Sequence, residues 1–168
     1  VSGEVAFGCE ISEDRKRCAI VAAGREKDGA RVVVDLVFYD HPRSAVARLT
    51  QLWEKHNPVA IVVDGRSQAG TLLSSLAEAG LLAMQPSTIE VATAHGDFLD
   101  LVNDGGLAHL DQPPLTSAVR AAQQRPLSGA QAWERRIAVD QSPLVAATFA
   151  VWAFVNWERL STPSVWVV

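Results

Sequence analysis

The chain has 168 residues, is 48% hydrophobic and 20% charged, and carries a formal net charge of −4 at pH 7. That length supports one domain with a real core, and the acidic balance excludes a global basic field, so any nucleic-acid contact must come from a local patch. The longest apolar run, LVAATFAVWAFV at 144–155, stops at Asn156 and is too short to cross a bilayer. With no signal-peptide pattern at the start, a cytoplasmic protein without a membrane partner is expected. Cys9 and Cys18 fall on neighbouring expected strands; a bridge is geometrically conceivable, but reduced core thiols are expected. The sequence opens on Val1, inside an apolar segment, and is expected to be a piece of a larger protein.

Residues 4–11 read as an apolar strand, SEDRK (12–16) as a polar turn and RCAIVAAG (17–24) as the returning strand. REKDG makes a second turn and RVVVDLVFY (31–39) a third strand. Its alternation predicts Val32, Val34, Leu36 and Phe38 on one face, with Asp35 and Tyr39 on the other. The period then changes. PRSAVARLTQLWEKHN places Val46, Leu49, Leu52 and Trp53 at helical spacing, and PVAIVVDG is the continuous apolar run of a buried parallel strand. QAGTLLSSLAEAG predicts a helix stopped by Gly80, LLAMQP a short fifth strand, and STIEVATAHGDFLDLVND a helix starting at Ser87 or Thr88. Beyond residue 105, GLAHL reads as a short strand, PPLTSAVRAAQQ as a short helix and AQAWERRI as a strand-like piece. Ser142 as N-cap and Pro143 in the first turn predict a last helix running to about Arg159. It is apolar nearly all round, so it is buried or docks on a neighbouring domain.

Three acids interrupt these apolar segments. Glu10 lies near the end of the first strand, Asp64 ends the strand AIVVD, and Asp140 lies two residues before Ser142. Ligands of open α/β sheets bind at the carboxyl ends of strands, and a helix N-terminus favours an ionised carboxylate. If the first and fourth strands are neighbours, the three converge. Clustered carboxylates repel one another, and Mg²⁺ or Mn²⁺ resolves the repulsion, two ions together serving phosphodiester hydrolysis. Taken singly, Asp64 and Asp140 also fit ordinary strand-end and cap roles.

The order of these elements resembles the ribonuclease H-like fold, and the sequence is similar to the C-terminal nuclease domain of tailed-phage terminase large subunits. FGCEIS with the following DR, AIVVDG and VDQSPLVAATFAVW carry the resemblance, together with HGDFLDLVNDGGLAHLDQPPL and RPLSGAQAWERR. The resemblance implies one α/β domain over 1–168, a mixed five-stranded sheet of three antiparallel strands and then parallel strands, flanked by helices. It implies a metal-dependent endonuclease that cuts concatemeric phage DNA with two Mg²⁺ or Mn²⁺ ions. The family's three acids map onto Glu10, Asp64 and Asp140 as catalytic, metal-holding residues. Its first acid is usually aspartate, so Glu10 either keeps the role with an altered metal preference or signals weakened activity. The packaging ATPase domain, the small terminase subunit and the portal are implied partners. No G-x-x-x-x-G-K-[ST] loop occurs in these residues, so the ATPase itself is not expected in this segment.

Backbone-led, sequence-independent binding to double-stranded DNA would draw on Arg66, Lys16, Arg135 and Arg136. His95 is a candidate relay or outer ligand, although a lone histidine is more often structural. Trp53, Trp133, Trp152 and Trp157 are expected in the core. Three rivals stay open: a Holliday-junction resolvase-like nuclease, a DNA-binding or docking module disabled by Glu10, and an actin-like phosphotransferase. The last needs glycine-rich phosphate loops, which GCEISED does not supply.

Overall fold

The computed structural model describes residues 2–161. β1 (Ser2–Ile11), β2 (Cys18–Arg25) and β3 (Val32–Asp40) form the expected antiparallel meander. A short 3₁₀ turn (Pro42–Ser44) leads into α1 (Ala45–His56), which buries Leu49 and Leu52. The chain returns as β4 (Ala60–Val63), parallel to β1 from Ala6 beside Ala60 to Cys9 beside Val63. A second 3₁₀ turn (Gln68–Leu72) and α2 (Leu73–Glu78) occupy the segment read as one helix. α3 (Thr88–Asn103) starts where expected, with Ser87 and Glu90 in a reciprocal capping box. β5 (Leu107–His109) runs parallel to β3, so the sheet order is β4-β1-β2-β3-β5. α4 (Pro113–Ala121), the hairpin of β6 (Gln124–Leu127) and β7 (Ala130–Trp133), and α5 (Ser142–Ser161) complete the chain.

Two expectations need correction. LLAMQP is not a strand: Met84 alone makes a bridge to Val62, because Pro86 ends the pairing and Ser87 already caps α3. The alternation of β3 also fails beyond Leu36. Opposite Val21 and Ile20 stand Leu36 and Phe38, so Val37 is an extra residue, a β-bulge. The bulge turns Phe38 toward the α1 face with Val37 and sends Tyr39 to the α5 face with Leu36.

The sheet separates two cores. Phe7, Cys9, Ile11, Ile20, Ile61 and Val63 pack with Leu49, Leu52 and Leu76 on the α1–α2 face. There the Cys9 and Cys18 sulfurs are 3.5 Å apart as free, buried thiols. The other face is covered by α5, whose Leu144, Val145, Phe149, Val151, Trp152 and Phe154 are buried. Each such side chain contributes roughly 1.5–3 kcal/mol when fully buried. Of the four tryptophans expected inside, Trp133 and Trp152 are buried, Trp53 packs half-buried on the α1 side, and Trp157 is exposed. Among the described residues no helix is long and apolar enough to cross a membrane.

α5 runs antiparallel to β1. Its C-terminal half meets the start of the meander through Arg25–Glu158 (2.5 Å) and Trp157–Glu4 (2.7 Å). Its N-terminus therefore lies at the end of β1 where Glu10 emerges. The crossing is close because Gly8 lies under it: a Cβ there would meet the Ala146 backbone carbonyl, with the Ala150 nitrogen at 2.8 Å.

Candidate metal and nucleic-acid site

Glu10 and Asp64 sit on the α5 face, at the carboxyl ends of two adjacent parallel strands. Glu10 is 1% exposed. Its Oε1 accepts from the Ile11 N–H (2.9 Å) and the Ser67 hydroxyl (2.8 Å), and its Oε2 lies 3.0 Å from Arg135 Nη1. Asp64 is also buried. Its Oδ1 accepts from the Arg66 backbone N–H (3.0 Å) and Nε (3.2 Å), and its Oδ2 lies 3.4 Å from Arg135 Nη2. One guanidinium thus bridges two buried carboxylates from neighbouring strands, and the expected convergence of Glu10 and Asp64 holds.

Burial pushes the Glu10 carboxyl above the ordinary glutamate range; Arg135, the Ile11 N–H and Ser67 pull it down, and nearby Asp64 adds to the rise. The upward shift means that the folded chain binds this proton more tightly than the unfolded chain. Stability from this group is therefore complete below about pH 4.3, the unfolded value, and falls as pH rises through the folded pKa. Glu10→Gln should raise the melting temperature of the metal-free protein at pH 7 by about 2–4 °C, roughly 1 kcal/mol. The gap should close when parallel melts are taken toward pH 4.

Asp140 stands in a separate hydrogen-bond set. Its Oδ1 accepts from the Ser142 N–H (2.8 Å), and its Oδ2 accepts from the Ser142 hydroxyl (2.8 Å) and the Tyr39 hydroxyl (2.9 Å). Ser142 is the first helical residue rather than the N-cap: Gln141 accepts the first helical bond, from Val145, and Asp140 does the capping. Burial, together with the Asp140 charge and hydrogen bond, pushes the Tyr39 hydroxyl up to about 12, so it stays a donor. Tyr39 pairs with Ala19, and Ala19 with Glu10. Two strand spacings, ~10 Å, therefore separate the Tyr39 and Glu10 backbones. All three acids occupy one end of one face, but Asp140 is not joined to the Glu10–Asp64 pair. Among the described residues, no three acidic, histidine or cysteine side chains are gathered to hold a metal ion.

The donor chemistry nevertheless suits a hard cation at Glu10 and Asp64. Two buried carboxylates are costly unless a cation faces them, and the Arg135 guanidinium stands where such a charge is needed. Oxygen-only donors suit Mg²⁺ or Mn²⁺.

Beside the pair opens a polar cleft of about 430 Å³, lined by four arginines (Arg66, Arg125, Arg135 and Arg136), two glutamates (Glu13 and Glu134), Ser67 and Gln68. Arg66 is half exposed and pinned, donating to Asp64, to the Thr88 hydroxyl and to the Pro86 carbonyl. The guanidinium groups of Arg125 and Arg136 form no ion pair or hydrogen bond among the described residues. Lys16 lies on the exposed β1–β2 turn and does not line the cleft. Arg15 from that turn reaches Gln68 (2.8 Å) instead. His95 is buried against Trp133, ring centroids 4.2 Å apart, with no hydrogen bond to either nitrogen. Burial lowers its pKa, so it is a neutral core histidine here, not bonded to any of the three acids.

Sequence reasoning missed Arg125, Ser67 and Tyr39. The Ser128–Gly129 pair, both at positive φ, closes the β6–β7 hairpin and was a legible turn signal that would have put Arg125 on a strand facing the site. Ser67, by contrast, has no signal outside the fold.

No protein-family model and no curated protein matches the sequence. Solved structures do match. The HK97 bacteriophage large terminase aligns with a TM-score of 0.72 at 16% identity, covering 91% of this chain and 40% of that one. The chain thus spans well under half of that terminase. The large terminase nuclease of thermophilic phage G20c aligns at 0.69 and 14% identity, covering 90% and 82%. The nuclease domain of the bacteriophage SPP1 large terminase, solved with bound Mn, aligns at 0.57 and 16% identity, covering 88% and 85%. At this level of identity the likeness concerns fold. The chain has the ribonuclease H-like fold of the phage large-terminase nuclease domains, a mixed five-stranded sheet flanked by helices.

Proposed function

We propose that this chain is a divalent-metal-dependent endodeoxyribonuclease domain that cuts double-stranded phage DNA during genome packaging. The observation that carries the reading is the buried Glu10–Asp64 pair, at the ends of adjacent parallel strands, spanned by the Arg135 guanidinium and flanked by Arg66 at the edge of the cleft. The metal-bound SPP1 neighbour and a G20c nuclease structure with bound magnesium share the fold and support the choice of ion.

Glu10 and Asp64 would hold the ions, and Asp140 is proposed as the third ligand because it lies at the same end of the same face. A pair of Mg²⁺ or Mn²⁺ ions held there would supply Lewis-acid stabilisation of the phosphoryl oxygens and would lower the pKa of water enough to provide hydroxide as nucleophile at neutral pH. Ser67 fixes the Glu10 carboxylate through Oε1 and leaves Oε2 directed to the cation position. Arg66, Arg125 and Arg136 would bind backbone phosphates, which orients the duplex without reading bases. The packaging ATPase domain, the small terminase subunit and the portal are the proposed partners, as the resemblance of the sequence to terminase nuclease domains implies. The test is nicking of supercoiled plasmid in Mn²⁺ and in Mg²⁺ against an EDTA control. Intact plasmid in both metals would count against the nuclease reading.

The cleft makes a separate prediction. Arg125→Glu combined with Arg136→Glu should weaken binding to a linear duplex by about tenfold or more near 0.1 M salt. It should also reduce the slope of log affinity against log salt by about two, one per lost phosphate contact. Fluorescence anisotropy across a salt series measures both.

A further inference from the structure

Arg135 stands at a place the proposed mechanism assigns to metal. Its Nη1 is 3.0 Å from Glu10 Oε2 and its Nη2 is 3.4 Å from Asp64 Oδ2. The side chain is 16% exposed, whereas Arg66 beside it is 48% exposed. Its backbone is anchored at the end of the β6–β7 hairpin. Two residues earlier Trp133 is buried, with its indole N–H on the Thr148 hydroxyl (2.9 Å), and the Glu134 N–H donates to the Gln123 carbonyl (2.7 Å). Arg135, however, also lines the 430 Å³ cleft. That space adjoins the Arg135 side chain and is lined also by Arg125, Arg136, Glu13 and Glu134.

We infer that Arg135 is a built-in counter-cation for Glu10 and Asp64, and that it competes with the divalent metal for one position. The inference rests on the metal-dependent reading of the site. With no metal, the guanidinium spans the two buried carboxylates and, together with Arg66 on Asp64, offsets their charge. When metal enters, Arg135 is released into the cleft, where its charge adds to the groups facing phosphate. Metal occupancy and the positive charge available to DNA are thereby coupled.

The test measures metal binding without DNA and without turnover. Mn²⁺ is titrated calorimetrically into the wild type, Arg135→Met, Arg135→Lys and Asp64→Asn, with thermal melts of each at zero and saturating Mn²⁺. Arg135→Met should melt lower than wild type without metal, bind Mn²⁺ at least about fivefold more tightly and gain more melting temperature on binding. Arg135→Lys keeps the charge but cannot span both carboxylates, and it should give a smaller gain in the same direction. If Arg135→Met does not fold, Arg135→Lys decides the matter alone. Should the wild type bind Mn²⁺ in an Asp64-dependent way while the Arg135 variants bind no more tightly, the competition is wrong and the metal site stands. If neither the wild type nor the Arg135 variants bind Mn²⁺, both readings fall together.

Discussion

Asp64→Asn should reduce Mn²⁺-dependent nicking of supercoiled plasmid by roughly 10²-fold or more, with the melting curve still cooperative. The substitution keeps the shape of the side chain and the acceptor for the Arg66 backbone N–H at 3.0 Å, so the strand end should survive. What it removes is one of two negative charges gathered at the ends of β1 and β4. A cation held by two carboxylates loses far more than half its binding when one becomes neutral, because desolvating the ion is then no longer offset. Glu10→Gln should behave in the same direction on activity while raising metal-free stability, an opposition expected of a site that keeps a costly buried carboxylate for function. Glu10→Asp is the informative contrast. It shortens the reach by one methylene, the length usual in the resembling family, and should shift the ratio of Mg²⁺ to Mn²⁺ activity rather than abolish cutting. Full nicking by Asp64→Asn, with metal dependence retained, would remove Asp64 from the mechanism.

Gly8→Ala should lower the melting temperature by roughly 6–12 °C, about 3 kcal/mol or more. The added methyl would collide with the Ala146 backbone carbonyl, and the Ala150 nitrogen would lie 2.8 Å away. Backbone cannot change rotamer to make room, so α5 as a whole must lift from β1. That helix carries the centre of one core and positions Asp140 at its N-terminus. The variant should therefore lose activity beyond its loss of stability, even at temperatures where it stays folded. Thermal melts with nicking assays well below the transition separate the two effects. A variant as stable as wild type would show that the β1–α5 approach is looser than the distances indicate.

The fold was legible in the sequence wherever the local pattern and the tertiary environment agree. The meander, α1, the buried strand β4, α3 and α5 all carry periodicity together with a turn or cap signal, and each forms where the pattern predicts. LLAMQP failed because its apolar letters carry no information about pairing length, and Pro86 cuts the pairing to one bridge. Tyr39 failed for a different reason. Alternation assumes an uninterrupted strand, and one bulged residue inverts the facing of everything after it.

The site divides in the same way. Glu10 and Asp64 were visible as charges ending apolar strands, since burying a carboxylate demands a partner wherever the strand goes. Asp140 was visible through the Ser-Pro start of the last helix. By itself, then, the sequence determined most of the elements and marked three acids as candidates. Only the tertiary structure decided what each acid touches: Arg135 arrives from a hairpin more than 70 residues past Asp64, Ser67 from a 3₁₀ turn, and Tyr39 from beyond a bulge. Those partners are set by how α5 and the hairpin pack over the end of β1, and hydrogen-bond and ion-pair partners chosen by packing leave no periodic trace along the chain.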